Sequence, residues 1–271
     1  MLKLIFRGTS FGAAMIWASI GLAQSDDGNE ANPVAEEIDP VAIKWVEAAT
    51  GTLAAQSALA VNWFVSFDEV IDGREKITHI RSGQVALRRN YQYYAYAEQD
   101  SGAREYFFDG LGLTVYLPEE KAYVHKSFLG DFEQLADMIG QEHDVALPIW
   151  QILVPDAASE LLSNVTSATY LGQRRVAGAM LHHVAMSTYD YDVQLWISDD
   201  AEKPVPVMMV GTEPYAQGWP QFRAYFSDWD FAPELDEDTF TFYPDEDDIR
   251  LNWPKSDDQF GQDALNGEAS Q

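Results

Sequence analysis

The chain has 271 residues, with 17 Lys and Arg against 44 Asp and Glu, a formal net charge of −27 at pH 7. That balance argues against nucleic-acid binding, which needs clustered Lys and Arg on phosphates, and against docking on an anionic membrane through a basic patch. A hydrophobic share of 46% calls for a folded core, and the lack of cysteine excludes disulfides, thiolate metal sites, cysteine nucleophiles and lipid attachment at cysteine.

Residues 1–23 (MLKLIFRGTSFGAAMIWASIGLA) open with Lys3 and Arg7, continue apolar or small from Phe11 to Leu22, and end on Gly21-Leu22-Ala23. This is the three-part pattern of a secretory signal peptide. The apolar run is shorter than the roughly 20 residues that span a bilayer. Cleavage is therefore expected, with no stable membrane anchor afterwards and a periplasmic location. Residues 24–38 are expected to form an acidic, disordered linker, since Ser25–Asp39 holds six acids and no base. The same composition argument applies to an acidic tail at 251–271. The domain is expected over 39–250.

Asp39-Pro40 is a helix start, with an N-cap acid before proline, and Ala42, Trp45, Val46, Ala49 and Leu53 then recur at helical spacing. Leu59, Val61, Trp63, Val65 and Phe67 alternate as in a strand with one buried face. Further strands are expected at Glu75–Ser82, Gln84–Arg89, Tyr91–Glu98, Glu105–Phe108, Leu113–Leu117 and Ala122–His125. Asp109-Gly110 makes a hairpin turn between the fourth and fifth of these. The period then changes. Phe132, Leu135, Ala136 and Ile139 fit one helix face, and Leu147–Val154 and Ala157–Leu162 read as short helices separated by Pro155. Strands resume at Thr166–Leu171, Met180–Thr188, Val193–Ser198, Pro206–Val210, Phe222–Phe231 and Thr239–Phe242. The order implies an α+β, mainly β fold with a helical insertion in one antiparallel sheet.

Several blocks resemble a family of predicted periplasmic proteins of unknown function (DUF2092-type). They are FFDGLGLTVYLPEEKAYVHKSF with LPIWQIL after it, the Gly172…Gly178…His183 spacing, the Gln194-Leu195-Trp196 strand and the closing Phe240–Phe242 segment. The resemblance covers about residues 39–250. Leu181 departs from the family pattern, in which a cysteine is common two residues before the histidine. The family is similar in fold to the lipoprotein carrier LolA and its partner LolB. The resemblance implies an incomplete antiparallel β-barrel with helices covering its open side and an apolar cavity between the two. It transfers no functional residue.

No Gly-x-Ser-x-Gly elbow, His-Glu-x-x-His or phosphate-binding Gly-x-x-x-x-Gly-Lys occurs. No catalytic residue, metal or cofactor is therefore assigned. On a strand, His182 and His183 point to opposite faces and cannot chelate one ion together. His183, which belongs to the family resemblance, is a structural polar candidate. Asp190 with Asp192, and Asp245 to Asp248, read as solvated acids. The aromatics suit an apolar ligand site. Candidates are Trp63, Val65, Phe67, Tyr94, Tyr96, Phe107, Tyr116 and Trp196 on strands, and Leu135, Ile139, Trp150 and Leu153 on the insertion. The leading expectation is a non-enzymatic binding protein that holds a lipid, lipoprotein acyl chain or other apolar ligand under a helical lid. The alternative is an envelope interaction or sensor protein that uses the fold to bind a partner protein. A hydrolase built around His183 ranks third.

Overall fold

The computed structural model describes residues 38–89, 91–143 and 147–253. The expected export signal, nearly all of the acidic linker and the tail beyond 253 lie outside the described residues.

Helix α1 (Pro40–Ala54) begins as its sequence dictates. The Asp39 carboxylate accepts from Val41 N at 2.8 Å, and proline occupies the first turn. Such a cap stabilises a helix by about 1 kcal/mol. The other oxygen of Asp39 accepts from Tyr170 N at 3.1 Å, so the cap also ties the helix to the sheet. The small, apolar face of Ala42, Val46 and Ala49 is fully buried.

Six strands follow as a meander: β1 (Ala58–Ile71), β2 (Glu75–Arg88), β3 (Gln92–Gln99), β4 (Gly102–Phe108), β5 (Gly112–Leu117) and β6 (Ala122–Ser127). The chain then leaves the sheet for α2 (Phe132–His143), α3 (Trp150–Leu153) and α4 (Ala157–Leu162). A second meander returns with β7 (Val165–Val176), β8 (Ala179–Thr188), β9 (Asp192–Ser198), β10 (Pro206–Thr212) and β11 (Gln221–Asp230). Strand β12 (Ile249–Leu251) closes the described chain. Hydrogen bonding orders these strands β12-β6-β5-β4-β3-β2-β1-β11-β10-β9-β8-β7 in one curved, open sheet. Every pairing is antiparallel except that of β12, which lies parallel to β6.

Two hydrophobic clusters fill the space between the inner face of the sheet and the helices. The larger joins β1–β5 and β11 to α2, α3 and α4. The smaller joins α1 to β7, β8 and β9. Tyr93 fastens the insertion to the sheet. Its ring stacks on Phe132 with centroids 4.7 Å apart, and its hydroxyl donates to Pro148 O at 2.9 Å. Burial, then the neighbouring Tyr106, pushes its hydroxyl well above the ordinary tyrosine range, so it stays a donor.

Three elements differ from the sequence reading. The two short strands expected at Glu75–Ser82 and Gln84–Arg89 are one strand, β2, which runs through Gly83. Glycine is required there because a Cβ would fall 1.8 Å from the Tyr96 carbonyl oxygen. The expected strand at Thr239–Phe242 begins instead as a 3₁₀ turn over Glu237–Phe240. The Asp236 carboxylate accepts from Thr239 N at 3.0 Å and closes the turn. The last strand lies further on, at β12, where three exposed residues gave no alternating pattern to read.

Gly83→Ala is expected to lower stability by about 1–3 kcal/mol, the usual cost of forcing atoms into a packed site. The urea midpoint of the variant, measured against the parent, checks this.

Candidate functional site

The strands' alternation divides their side chains between two faces. Cross-strand neighbours carry one inner row through Val184, Leu195, Met209, Ala224 and Val65. The next row, facing out, runs through His183, Trp196, Met208, Tyr225 and Phe64. Only the inner row can meet the helices.

Between the inner face and the insertion lies a cavity of about 1140 Å³. Its floor is Trp63, Val65 and Phe67 from β1 with Ala224 and Phe226 from β11. Its roof includes Ile152 of α3 and Leu161 of α4, and Met186, Val193 and Met209 line its flank. The cavity opens at the end of the sheet that carries the β1–β2, β8–β9 and β10–β11 connections, through residues such as Val70, Tyr189 and Gln217.

The mouth is polar. Asp68 is buried and accepts from Thr78 Oγ1 at 2.9 Å and Gln221 N at 3.1 Å. Lys76 and Arg223 flank it at 3.3 and 3.6 Å. Burial pushes its carboxyl up, but the Thr78 and Gln221 hydrogen bonds, with Lys76 and Arg223, together outweigh this and hold it below the usual range. His79 stacks on Phe67 at 5.3 Å and bridges Asp100 at 2.6 Å and Glu69 at 2.9 Å. The hydrogen bond with Asp100, then that with Glu69, raises its pKa. The Arg81 guanidinium lies over the Phe67 ring at 4.9 Å. Glu213 also lines the mouth, and burial pushes its carboxyl up. Acids predominate over bases along this rim.

The twelve expected ligand-site residues divide three ways. Trp63, Val65 and Phe67 line the cavity. Leu135, Ile139 and Leu153 are fully buried in the larger cluster and Trp150 packs against it, so they hold the roof without lining the space. Tyr94, Tyr96, Phe107, Tyr116 and Trp196 are a correction: they lie on the outer face. The physical reason is strand parity. Tyr93, Ala95 and Ala97 of β3 are buried on the inner side, which sends Tyr94 and Tyr96 outward. The outward aromatics find other cover. Phe242 packs on Phe107, Tyr116 and Tyr123, with ring centroids 5.6, 4.9 and 5.1 Å away.

Asp245, Glu246 and Asp247 are exposed, as expected of solvated acids, and with Asp248 they lie against the same face. Asp248 accepts from Tyr116 Oη at 3.1 Å, and Asp247 pairs with Lys121. Asp190 lies at the cavity mouth, while Asp192 accepts from Ser187 Oγ at 2.7 Å.

His182 and His183 do face opposite ways. His183, the structural polar candidate, bonds Gln194 Oε1 at 3.0 Å and stacks on Trp196 at 4.1 Å, on the outer face. Burial lowers its pKa. His182 is the more deeply buried of the two. Its ring nitrogens bond Tyr170 Oη at 2.7 Å and Asp199 Oδ1 at 2.9 Å, and Trp45 of α1 stacks on it at 3.5 Å. It docks the first helix on the sheet. Among the described residues no three His, Asp or Glu side chains are grouped to hold a metal ion.

The lining residues missed by the sequence reading include Met186, Val193, Met209 and Ala224. Their alternation was visible, but the faces they share with Trp63 follow from cross-strand register. Register between β1 and β11 links segments more than 150 residues apart, which periodicity does not encode.

An incomplete antiparallel barrel, capped by helices over an apolar cavity, is the class of protein that this geometry defines. The chain belongs to the family described as "Predicted periplasmic protein (DUF2092)", whose model matches residues 42–252, and periplasmic residence comes with that membership. No curated protein sequence matches the chain. Among solved structures, it is similar to the Mycobacterium tuberculosis lipoprotein LppX at 15% identity and a TM-score of 0.47, over 73% of this chain and 100% of that one. LprF from Mycobacterium bovis gives 16% identity and a TM-score of 0.46, over 73% and 96%. A LolA superfamily protein from Nitrosomonas europaea gives 13% identity and a TM-score of 0.34, over 74% and 97%.

Because the native pKa of Asp68 is depressed, the stability it contributes is complete above its unfolded value of about 3.9 and is lost as pH falls through the native value. Asp68→Ala is expected to cost about 1–3 kcal/mol at neutral pH and to flatten the acid limb of the stability profile. Urea unfolding at several pH values between 2 and 7 checks both, where the pH range is roughly that of carboxyl titration.

Proposed function

We propose that the protein binds an apolar ligand of the lipid or acyl-chain class between its curved sheet and its helices, without chemical conversion. The observation that carries this reading is the cavity of about 1140 Å³ with an apolar floor and roof and a polar mouth. Ligand pockets are commonly about 300–1,000 Å³, mostly apolar, with few polar anchors. Burying about 300 Å² of a ligand's apolar surface would contribute roughly 7 kcal/mol at 25 cal/mol per Å², before the costs of association. Orientation follows from the same features: an acyl chain lies along Trp63, Val65 and Met209, and a polar head remains near Arg81, His79 and the acids of the mouth. Family membership in a set of periplasmic proteins supports a setting in which lipids must be shielded from water.

Native mass spectrometry of protein recovered from a periplasmic fraction without detergent, followed by solvent extraction, is expected to give a stoichiometric lipid adduct. Met209→Gln and Val193→Asn each place an amide in the apolar lining and are expected to weaken a fluorescent fatty-acyl probe about tenfold, the effect of one poorly paired polar group. Tyr96→Ser, on the outer face, is expected to leave the probe's affinity unchanged. Equal affinity in all four proteins would exclude the cavity as the site.

A further inference from the structure

We infer that the open end of the barrel docks on the surface of a zwitterionic lipid bilayer, with the rim of the cavity as the contact. The inference builds on the cavity reading but stands on different residues.

Three aromatic side chains project at this end from connections rather than strands. Tyr189, in the β8–β9 turn, is 75% exposed; Tyr215 and Trp219, in the β10–β11 loop, are 84% and 68% exposed. Ile71 and Ile77 stand exposed at the tip of the neighbouring β1–β2 hairpin. Pairing fixes all of these at one end. Ile71 opposes Glu75, Phe67 opposes Phe222 at the start of β11, and Thr212 opposes both Asp192 and Gln221.

The rim is built, not frayed. A Cβ on Gly218 would meet Val70 at 3.0 Å, and one on Gly73 would meet the Gln217 side chain at 2.5 Å, so the two connections are packed on each other. Lys76 Nζ donates to Trp219 O at 3.3 Å, and Trp219 N donates to Ala216 O at 3.0 Å. These bonds hold Trp219 at φ 49°, in the left-handed region that a bulky aromatic rarely adopts. The backbone is thus bent in a way that leaves the largest apolar side chain of the loop in solvent.

The chemistry of the rim selects its occupant. Tyrosine and tryptophan carry an apolar ring and one polar tip, which suits the headgroup layer of a membrane. The charges beside them do not suit an anionic surface. The cavity mouth carries Asp68, Glu69, Asp190 and Glu213 against His79 and Arg81, and the β1–β2 connection beside it carries Asp72 and Glu75 against Arg74 and Lys76, within a chain of net charge −27. The aromatics therefore supply the attraction, and negative lipids weaken it. The cavity opens between the same residues, with Tyr189 and Gln217 in its lining, so docking would bring its mouth to the source of an acyl chain.

Flotation with vesicles of pure phosphatidylcholine tests this, on protein from the periplasmic fraction with its N terminus fixed by intact mass. The parent is expected to float. The double variant Tyr215→Ser, Trp219→Ser, at two rim residues that do not line the cavity, is expected to lose at least tenfold in vesicle affinity, with an unchanged circular dichroism spectrum. Adding about a third phosphatidylglycerol to the vesicles is expected to weaken the parent, and salt to restore it by screening. A parent that stays unbound, a double variant that binds as well as the parent, or binding strengthened by phosphatidylglycerol would overturn the inference. The fluorescent acyl probe in vesicle-free solution separates the two readings. A double variant with intact probe affinity but lost flotation supports docking as a separate function of the rim. Probe binding without any flotation of the parent defeats docking alone, whereas flotation without probe binding defeats the cavity reading alone.

Discussion

The pairing of β1 with β11 is the constraint on which the rest depends. Each meander runs out from this seam: β1 leads to β6 on one side, and β11 leads back to β7 on the other. The two halves are separated in the chain by the helical insertion, so no tight turn sets their register. The seam joins Trp63 to Phe226, Val65 to Ala224 and Phe67 to Phe222, and these residues are the floor of the cavity. Near its far end the ladder slips between Ala60 and Asn62, where Asp228 takes φ 55° and accepts from Asn62 Nδ2 at 3.0 Å. Asp tolerates that conformation better than most residues, and a bulge increases local twist. The irregularity thus bends the sheet at the strand pair on which the halves meet.

A sheet of this width needs its inner face covered, and α1 on one side and the insertion on the other do it, meeting where α1 packs on α3 and α4. On one half α1 sits close because its buried face is largely alanine and valine, and the Trp45–His182 stack fixes its place. On the other half α2 is held through Phe132 on Tyr93, and the chain beyond it through the bond from Tyr93 to Pro148 O. Met209 borders both clusters and also lines the cavity. The space therefore lies at the join between two cores. Its walls are supported from behind by residues such as Leu135, Ile139 and Leu153, which never reach it.

Local features were well written in the sequence. The Asp39-Pro40 start, the Asp109-Gly110 turn and the alternation from Leu59 to Phe67 each depend on neighbours in the chain, and each stands where expected. The class of fold was legible for the same reason, aided by the family resemblance. What could not be read was the choice of face where both faces of a strand are rich in aromatics. In β3 the tyrosines at 93 and 94 are equally apolar, and the decision rests on partners far along the chain. Tyr93 meets Phe132, while the outward row that includes Tyr94 is covered by the C-terminal segment through Phe242 on Phe107. The same covering explains why Tyr116 has a carboxylate partner in Asp248 instead of a place in a pocket. Parity errors of this kind move whole rows of side chains together, which is why five candidates left the cavity at once.

The open space needs its own physical account, because protein interiors ordinarily close up. Collapse would require the sheet to fold further over the helices, but each internal strand is hydrogen-bonded on both sides, and every residue moved would break ladder bonds. Nor can the roof descend. α3 has four residues and α4 six, set apart by Val154, Pro155 and Asp156, and they touch the sheet through clusters on either side of the gap. Helices so short cannot span it. On the floor, Ala224 and, nearby, Ala97 and Gly211 stand where larger side chains would fill the space. The cavity is thus a consequence of small residues placed between two well-packed regions, and the stability of the fold does not require it to be closed. A pocket that the fold can leave empty is one that a ligand can enter and leave without unfolding the protein around it.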